Sequence, residues 1–110
     1  MIKPDYYSSL QYIQSIPRKT GVLIIGGDPQ ALKYYNDEYI KTNYYIVHPH
    51  TNFEELIHIL DSYSKYDIYA VVDHDLYVNK NDKIDERTIY YIKHNMTKVA
   101  EFNSIEIYKQ

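Results

Sequence analysis

Polar side chains that could perform chemistry follow three apolar segments of this sequence. The first segment ends in Gly26-Gly27-Asp28, the second in His48-Pro49-His50 and the third in Asp73-His74-Asp75. Residues at i and i+2 of an extended segment share a face, so His48 can act with His50, or Asp73 with Asp75. Imidazole and carboxylate groups suit a divalent transition metal or a hydrolytic acid–base pair. The pattern thus predicts a candidate metal site, formed by His48, His50, Asp73 and Asp75.

The glycine turn suggests a different ligand. A helix that begins after Gly26-Gly27 could hold a phosphate with its backbone N–H groups and its dipole, which makes Gly26, Gly27 and Asp28 candidate ligand-binding residues. The dinucleotide fingerprint needs a third glycine near position 30, and the phosphate loop needs Gly-Lys-Ser/Thr; the sequence has neither. The carboxylate of Asp28 would also lie where the phosphate would bind, which disfavours an anion there. Solvated loop ends remain the structural alternative for all these groups, because loops at strand ends are polar in any case.

The composition excludes several classes of protein. The 110 residues suggest one α/β domain spanning 1–110, and no apolar run approaches the ~20 residues of a membrane span. We see no signal peptide and expect a soluble chain. The absence of cysteine excludes disulfides, zinc–thiolate sites and a cysteine nucleophile. Net charge is −3 without a basic patch, so nothing indicates nucleic-acid binding.

Tyrosine is unusually frequent, at 15 of 110 residues. Its ring is apolar and its tip polar, so we expect many tyrosines at the rim of the core. So many rings also leave aromatic surface exposed, which could form a partner interface. A homodimer is possible through exposed tyrosines or through the edge of a C-terminal hairpin.

Periodicity and capping signals predict four helices. Pro4 starts a helix that runs to about Ile16, where Pro17 ends it, and Arg18-Lys19-Thr20 forms a turn. Asp28, Asn52 and Asp85 are expected to cap the other three helices. The expected buried positions, in helix order, are Tyr6, Leu10 and Ile13; Leu32, Tyr35 and Tyr39; Leu56, Ile59, Leu60 and Tyr63; and Ile89, Ile92 and Met96.

Short apolar runs between the helices predict the strands. Three lie at 21–25, 43–47 and 67–72, and right-handed crossovers make them parallel in the order 2-1-3. Alternating segments at 99–102 and 105–108, joined by Asn103-Ser104, predict a hairpin. The fold class is therefore a three-layer α/β/α sandwich with a C-terminal antiparallel hairpin at the edge of the sheet.

One family resemblance covers most of the chain. The first helix leads through IPRKTGVLIIGGDPQALKYY into strand–helix repeats, and the chain closes with VAEFNSIEIYK. In this pattern the sequence resembles the soluble C-terminal domain of multi-spanning membrane glycosyltransferases that use lipid-linked sugars. The resemblance implies a non-catalytic binding or accessory module, either excised or stand-alone, and an extracytoplasmic location. We expect no cofactor for such a module, with a divalent metal as the alternative. The alternatives are a small metal-dependent hydrolase and a nucleotide-binding domain.

Overall fold

A computed structural model of the protein describes residues 5–16, 21–41, 43–74 and 85–110. The four helices are α1 (Tyr6–Ser15), α2 (Pro29–Tyr35), α3 (Phe53–Ser62) and α4 (Glu86–Asn95), and a π-helical turn, Asn36–Ile40, directly continues α2. The five strands are β1 (Val22–Ile25), β2 (Tyr44–Val47), β3 (Asp67–Asp73), β4 (Thr97–Phe102) and β5 (Ile105–Lys109). The expected order of helices and strands is confirmed. Pro4, Pro17 and the turn at 18–20 lie outside the described residues.

All five strands form one sheet in the order β2-β1-β3-β5-β4. β1 pairs in parallel with β2 and β3, so the predicted order 2-1-3 is confirmed. The hairpin joins the sheet through β5, which runs antiparallel to both β3 and β4. The C-terminal hairpin therefore extends the parallel sheet on one side only, and β2 forms the opposite edge.

Helices cover the sheet on both faces. On one face, Ile24 and Val71 pack with Leu10 of α1 and Leu32 of α2. On the other face, β-strand side chains pack with Leu56 of α3 and Ile92 of α4. Because both faces are covered, Ile24 and Val71 are only 1% and 0% exposed, as predicted. In α4, Ile92 is buried as expected, and so is Met96 directly after the helix, but Thr88 is buried and Ile89 only half-buried.

The three predicted helix caps are confirmed. Asp28 Oδ1 accepts a hydrogen bond from the backbone N–H of Gln30 at 3.0 Å. Asn52 Oδ1 accepts from the N–H of Glu55 at 2.8 Å, and Asp85 Oδ1 from the N–H of Arg87 at 2.9 Å. Each side chain satisfies a donor that the first turn of a helix leaves unpaired.

The end of the second helix differs from the prediction. Tyr39 was expected on the buried face but is 55% exposed, while Asn36 and Ile40 are 5% and 7% exposed. The backbone N–H of Lys41 bonds to the carbonyl of Asn36 at 2.6 Å, five residues back. This wider π turn takes up one extra residue, so the inward face moves from position 39 to position 40. Lys41 then leaves the turn with φ of 56°.

Truncation of Ile24 tests the central position of β1. The Ile24→Ala variant should lose about 2–5 kcal/mol of unfolding free energy, through lost transfer energy and the cavity left behind. Urea denaturation followed by circular dichroism measures this loss. Val99→Ala is the control, because Val99 is 36% exposed, and a change within about 0.5 kcal/mol is expected there. An Ile24→Ala protein as stable as its parent would contradict a central β1.

Candidate functional site

The turn after β1 lies beside the end of β3. The connection that follows β1 leads to β2 on one side of the sheet, whereas the connection that follows β3 leads to β4 and β5 on the other side. Open α/β sheets bind their ligands in such a crevice. Gly26 and Gly27 have φ of 83° and 76°, which side chains rarely adopt. A Cβ atom at Gly27 would also lie 3.2 Å from Leu32 Cδ1 and 3.2 Å from Val71 Cγ1. Gly27 is therefore needed both for the turn and for the close packing of α2 on the sheet.

Tyr6 of α1 fills this crevice with its side chain. Its hydroxyl accepts a hydrogen bond from the backbone N–H of Asp28 at 2.9 Å and donates one to Asp73 Oδ2. Tyr6 is 5% exposed and Asp73 is 3% exposed. Burial, reinforced by the bond to Asp73, raises the pKa of Tyr6 far above its usual value, so the hydroxyl stays protonated.

The contact of Tyr6 changes what the glycine turn can bind. A phosphate at this turn would need backbone N–H groups, but the N–H of Asp28 bonds to Tyr6 and that of Gln30 to Asp28. Sequence reasoning placed Tyr6 on a buried face and missed its polar contacts. The available signal was a tyrosine at a core position of α1, since a buried tyrosine hydroxyl usually has a hydrogen-bond partner.

The two histidines after β2 lie together on the surface. Their ring centroids are 4.9 Å apart, and the backbone N–H of His50 donates to His48 Nδ1 at 3.1 Å. Asp73, by contrast, is buried against Tyr6, and Asp75 lies outside the described residues. In the part of the chain that the structure describes, no three His, Asp or Glu side chains are grouped so that they could hold a metal. The four-residue metal site stays a prediction.

His74 belongs to a different group, centred on Glu106 of β5. His74 Nε2 lies 2.6 Å from Glu106 Oε1, and the Lys98 ammonium donates to Oε2 at 2.9 Å. Burial alone would raise the pKa of Glu106, but the hydrogen bonds with Lys98 and His74 outweigh it and lower the pKa to about 2. A carboxylate with so low a pKa is a poor proton carrier near neutral pH. The group joins β3, β4 and β5, and sequence reasoning missed it because it depends on strand pairing.

Four tyrosines form an aromatic cluster on the outer side of α1 and α2, which we call the tyrosine cluster: Tyr7, Tyr34, Tyr35 and Tyr39. The centroids of the Tyr34 and Tyr35 rings are 5.0 Å apart, and those of Tyr7 and Tyr39 are 5.4 Å apart. Tyr7 is 38% exposed, Tyr34 52% and Tyr39 55%. A hydrogen bond with Tyr39 raises the pKa of Tyr34. The π turn creates this surface, because it turns Tyr39 outward.

A second aromatic surface lies on the opposite face of the molecule, along α4. It is an open depression of about 570 Å³ lined by Phe53, Glu86, Arg87, Tyr90, Tyr91 and Asn95. The Arg87 guanidinium lies 5.4 Å from the centre of the Phe53 ring and bonds to both Glu54 and Asp85. Two carboxylates thus neutralise Arg87, the one cation among the described residues of the lining, and these residues offer mainly ring surface.

Comparison with known proteins finds no match: no family model, no curated protein and no solved structure is significantly similar to this chain. The resemblance to the glycosyltransferase domain therefore stays a prediction. Among the described residues, no helix has the length and apolar character needed to cross a membrane.

Removal of the Tyr6 hydroxyl tests the filled crevice. In Tyr6→Phe, the Asp28 N–H and the Asp73 carboxylate lose this partner inside the protein, so about 1–3 kcal/mol of stability should be lost. Thermal and urea unfolding measure the change. Tyr7→Phe is the matched control, because the Tyr7 hydroxyl bonds only to Gln11 on the surface among the contacts described. Equal stability of Tyr6→Phe and the parent would show that the buried hydroxyl is dispensable.

The ion pairs of Glu106 predict a loss of stability in acid. The pKa of Glu106 is lowered in the folded state, from 4.5 to about 2, so its contribution is complete above pH 4.5 and is lost as the pH falls towards 2. This contribution is at most about 3 kcal/mol. In Glu106→Gln, stability measured by urea unfolding should fall less steeply across that window. Glu101→Gln, an exposed carboxylate on β4, should keep the slope of the parent; identical slopes in all three proteins would contradict the assignment.

Proposed function

We propose that this chain is a non-catalytic binding or accessory module that contacts a protein partner through the tyrosine cluster. The observation that carries the proposal is the grouping of four tyrosine rings on one outer face, three of them well exposed. Single exposed apolar residues are common on protein surfaces, whereas contiguous ones mark interaction sites.

The chemistry of tyrosine suits such a surface. Its ring buries a large area with few rotatable bonds, and its hydroxyl can bond to the partner or to water. Tyrosine is accordingly enriched in protein interfaces. In the tyrosine cluster the rings of Tyr7, Tyr35 and Tyr39 also contact one another, so they lose little further freedom when a partner covers them.

The crevice beside β1 and β3 supports the absence of catalysis. Tyr6 already occupies it, and its hydroxyl bonds to the Asp28 N–H and to the Asp73 carboxylate. A nucleotide-binding function through Gly26 and Gly27 would require this arrangement to open. A metal-dependent hydrolase is the second candidate function, favoured by the adjacent rings of His48 and His50.

The resemblance to a domain of membrane glycosyltransferases agrees with an accessory role. In such an arrangement the chemistry would belong to a membrane-embedded protein, and this module would dock beside it on the extracytoplasmic side. The tyrosine cluster would then be the docking surface.

Site-specific photocrosslinking in the source cells tests this proposal. A benzophenone-bearing phenylalanine analogue replaces Tyr34 or Tyr39, both of which are exposed. Both positions should give the same discrete crosslinked protein. Tyr90 is the matched control, because it is a tyrosine 64% exposed on the opposite face. Tyr7→Ser should reduce the crosslink from Tyr39, since their rings are in contact.

Two results would contradict the proposal. One is a crosslink of equal strength from Tyr90, or none from Tyr34 and Tyr39. The other is a rise in melting temperature with zinc or manganese that disappears in the His48→Ala/His50→Ala variant. Only ligands that bind the folded state preferentially raise the melting temperature, so that second result would favour the metal-dependent hydrolase.

A further inference from the structure

The two edges of the sheet differ in how well they are protected. Edge strands usually carry charges or a bulge that prevents pairing with another chain. β4 has both: Lys98 and Glu101 lie on it, and its pairing with β5 is irregular at Val99. β2, the other edge, reads Tyr-Tyr-Ile-Val and has neither a charge nor an irregularity; its protection is its length of only four residues. Among the described residues, β2 is therefore the less protected edge of the sheet.

The backbone of β2 directs hydrogen-bonding groups away from the sheet. Hydrogen bonds join Val22 N to Asn43 O at 3.3 Å and Gly26 N to Val47 O at 3.2 Å, so the odd-numbered residues of β2 face β1. Backbone groups alternate in direction along a strand, and Tyr44 and Ile46 consequently point outward. No turn, loop or cap hydrogen bond among the described residues involves the backbone N–H or C=O of Tyr44 or Ile46.

We propose that the β2 edge pairs antiparallel with β2 of a second copy of this chain. A two-fold axis at Tyr45 places Tyr44 of each copy opposite Ile46 of the other. Both residues direct their backbone groups outward, so the two opposed pairs exchange four hydrogen bonds. The result is a continuous sheet of ten strands, and the axis closes the assembly as a dimer. The edge complements itself, which is the reason to choose a second copy over a foreign peptide.

The side chains around the edge fit the same arrangement. Tyr45 is 44% exposed, and its ring stacks on Tyr63 with centroids 4.9 Å apart. In the dimer the two Tyr45 side chains become a cross-strand aromatic pair, flanked by Tyr63 on each side. On the other face, an open space of about 420 Å³ between α2 and β2 can receive the partner's Ile46 and Tyr44.

Charge does not oppose this contact. The charged lining of the open space consists of Lys33 and Asp37, which pair with each other at 2.5 Å. The two-fold axis thus brings together two surfaces on which the charges of Lys33 and Asp37 already cancel within each copy. A like charge placed at position 45 would change this, because the two copies of residue 45 lie directly opposite each other.

Charge substitution at Tyr45, read by sedimentation velocity, tests the proposal. The parent chain should be a dimer at high micromolar concentration, and Tyr45→Lys and Tyr45→Glu should each be monomeric. An equimolar mixture of the two variants should dimerise again, since opposite charges then face each other. Tyr90→Lys is the matched control, because Tyr90 is an exposed tyrosine away from the sheet edge, and it should remain dimeric. Circular dichroism checks that each variant is folded.

Amide hydrogen exchange identifies the interface independently. In the parent, the N–H groups of Tyr44 and Ile46 should exchange at least tenfold more slowly than in the monomeric Tyr45→Lys variant, while β1 amides keep their rates. A parent that stays monomeric at millimolar concentration overturns the proposal. So does a dimer that survives Tyr45→Lys, or one that is lost in Tyr34→Ser/Tyr39→Ser instead, which would assign dimerisation to the tyrosine cluster.

Discussion

The hydroxyl of Tyr6, a residue of α1, lies in the crevice between β1 and β3. There it accepts a hydrogen bond from the Asp28 N–H and donates one to the Asp73 carboxylate. This contact couples α1 to the centre of the sheet. It joins the first helix of the chain to the ends of two central strands and holds the buried Asp73 carboxylate with a donor. Burial of a carboxylate costs free energy unless such a donor is present, so the position of α1 is coupled to that of β3.

The position of α1 in turn decides which surfaces remain open. Leu10 and Ile13 follow Tyr6 onto the face formed by Ile24 and Val71, so α1 and α2 become neighbours. That neighbourhood brings Tyr7 of α1 against Tyr39 of the π turn and creates the tyrosine cluster. The crevice where an α/β sheet ordinarily takes a ligand is closed on this side. Among the described residues, aromatic side chains are instead exposed on the outer faces of the helices and at the β2 edge of the sheet.

Local signals in the sequence were sufficient to predict much of the fold. An Asp or Asn before a helix bonds to an N–H within three residues, so the helix caps were predicted correctly. Apolar periodicity reflects burial on one or two faces and located the strands, and right-handed crossovers between them gave the order 2-1-3. The site depends on contacts that no local pattern contains. Tyr6 and Asp73 are 67 positions apart, and Glu106 meets His74 only because β5 pairs with β3. The π turn also escaped prediction, because a period of 3.6 residues assigns the inward position to Tyr39 instead of Ile40.

The placement of the tyrosines carries more information than their number. Of the six exposed large apolar side chains among the described residues, five are tyrosines: Tyr7, Tyr34, Tyr39, Tyr45 and Tyr90. Three of these belong to the tyrosine cluster, one to the β2 edge and one to the depression along α4. Isoleucine or phenylalanine in the same places would leave a contiguous apolar surface in water, which favours aggregation. The tyrosine hydroxyl stays hydrated at the end of the ring, so an exposed tyrosine surface is less prone to aggregation than a fully apolar one.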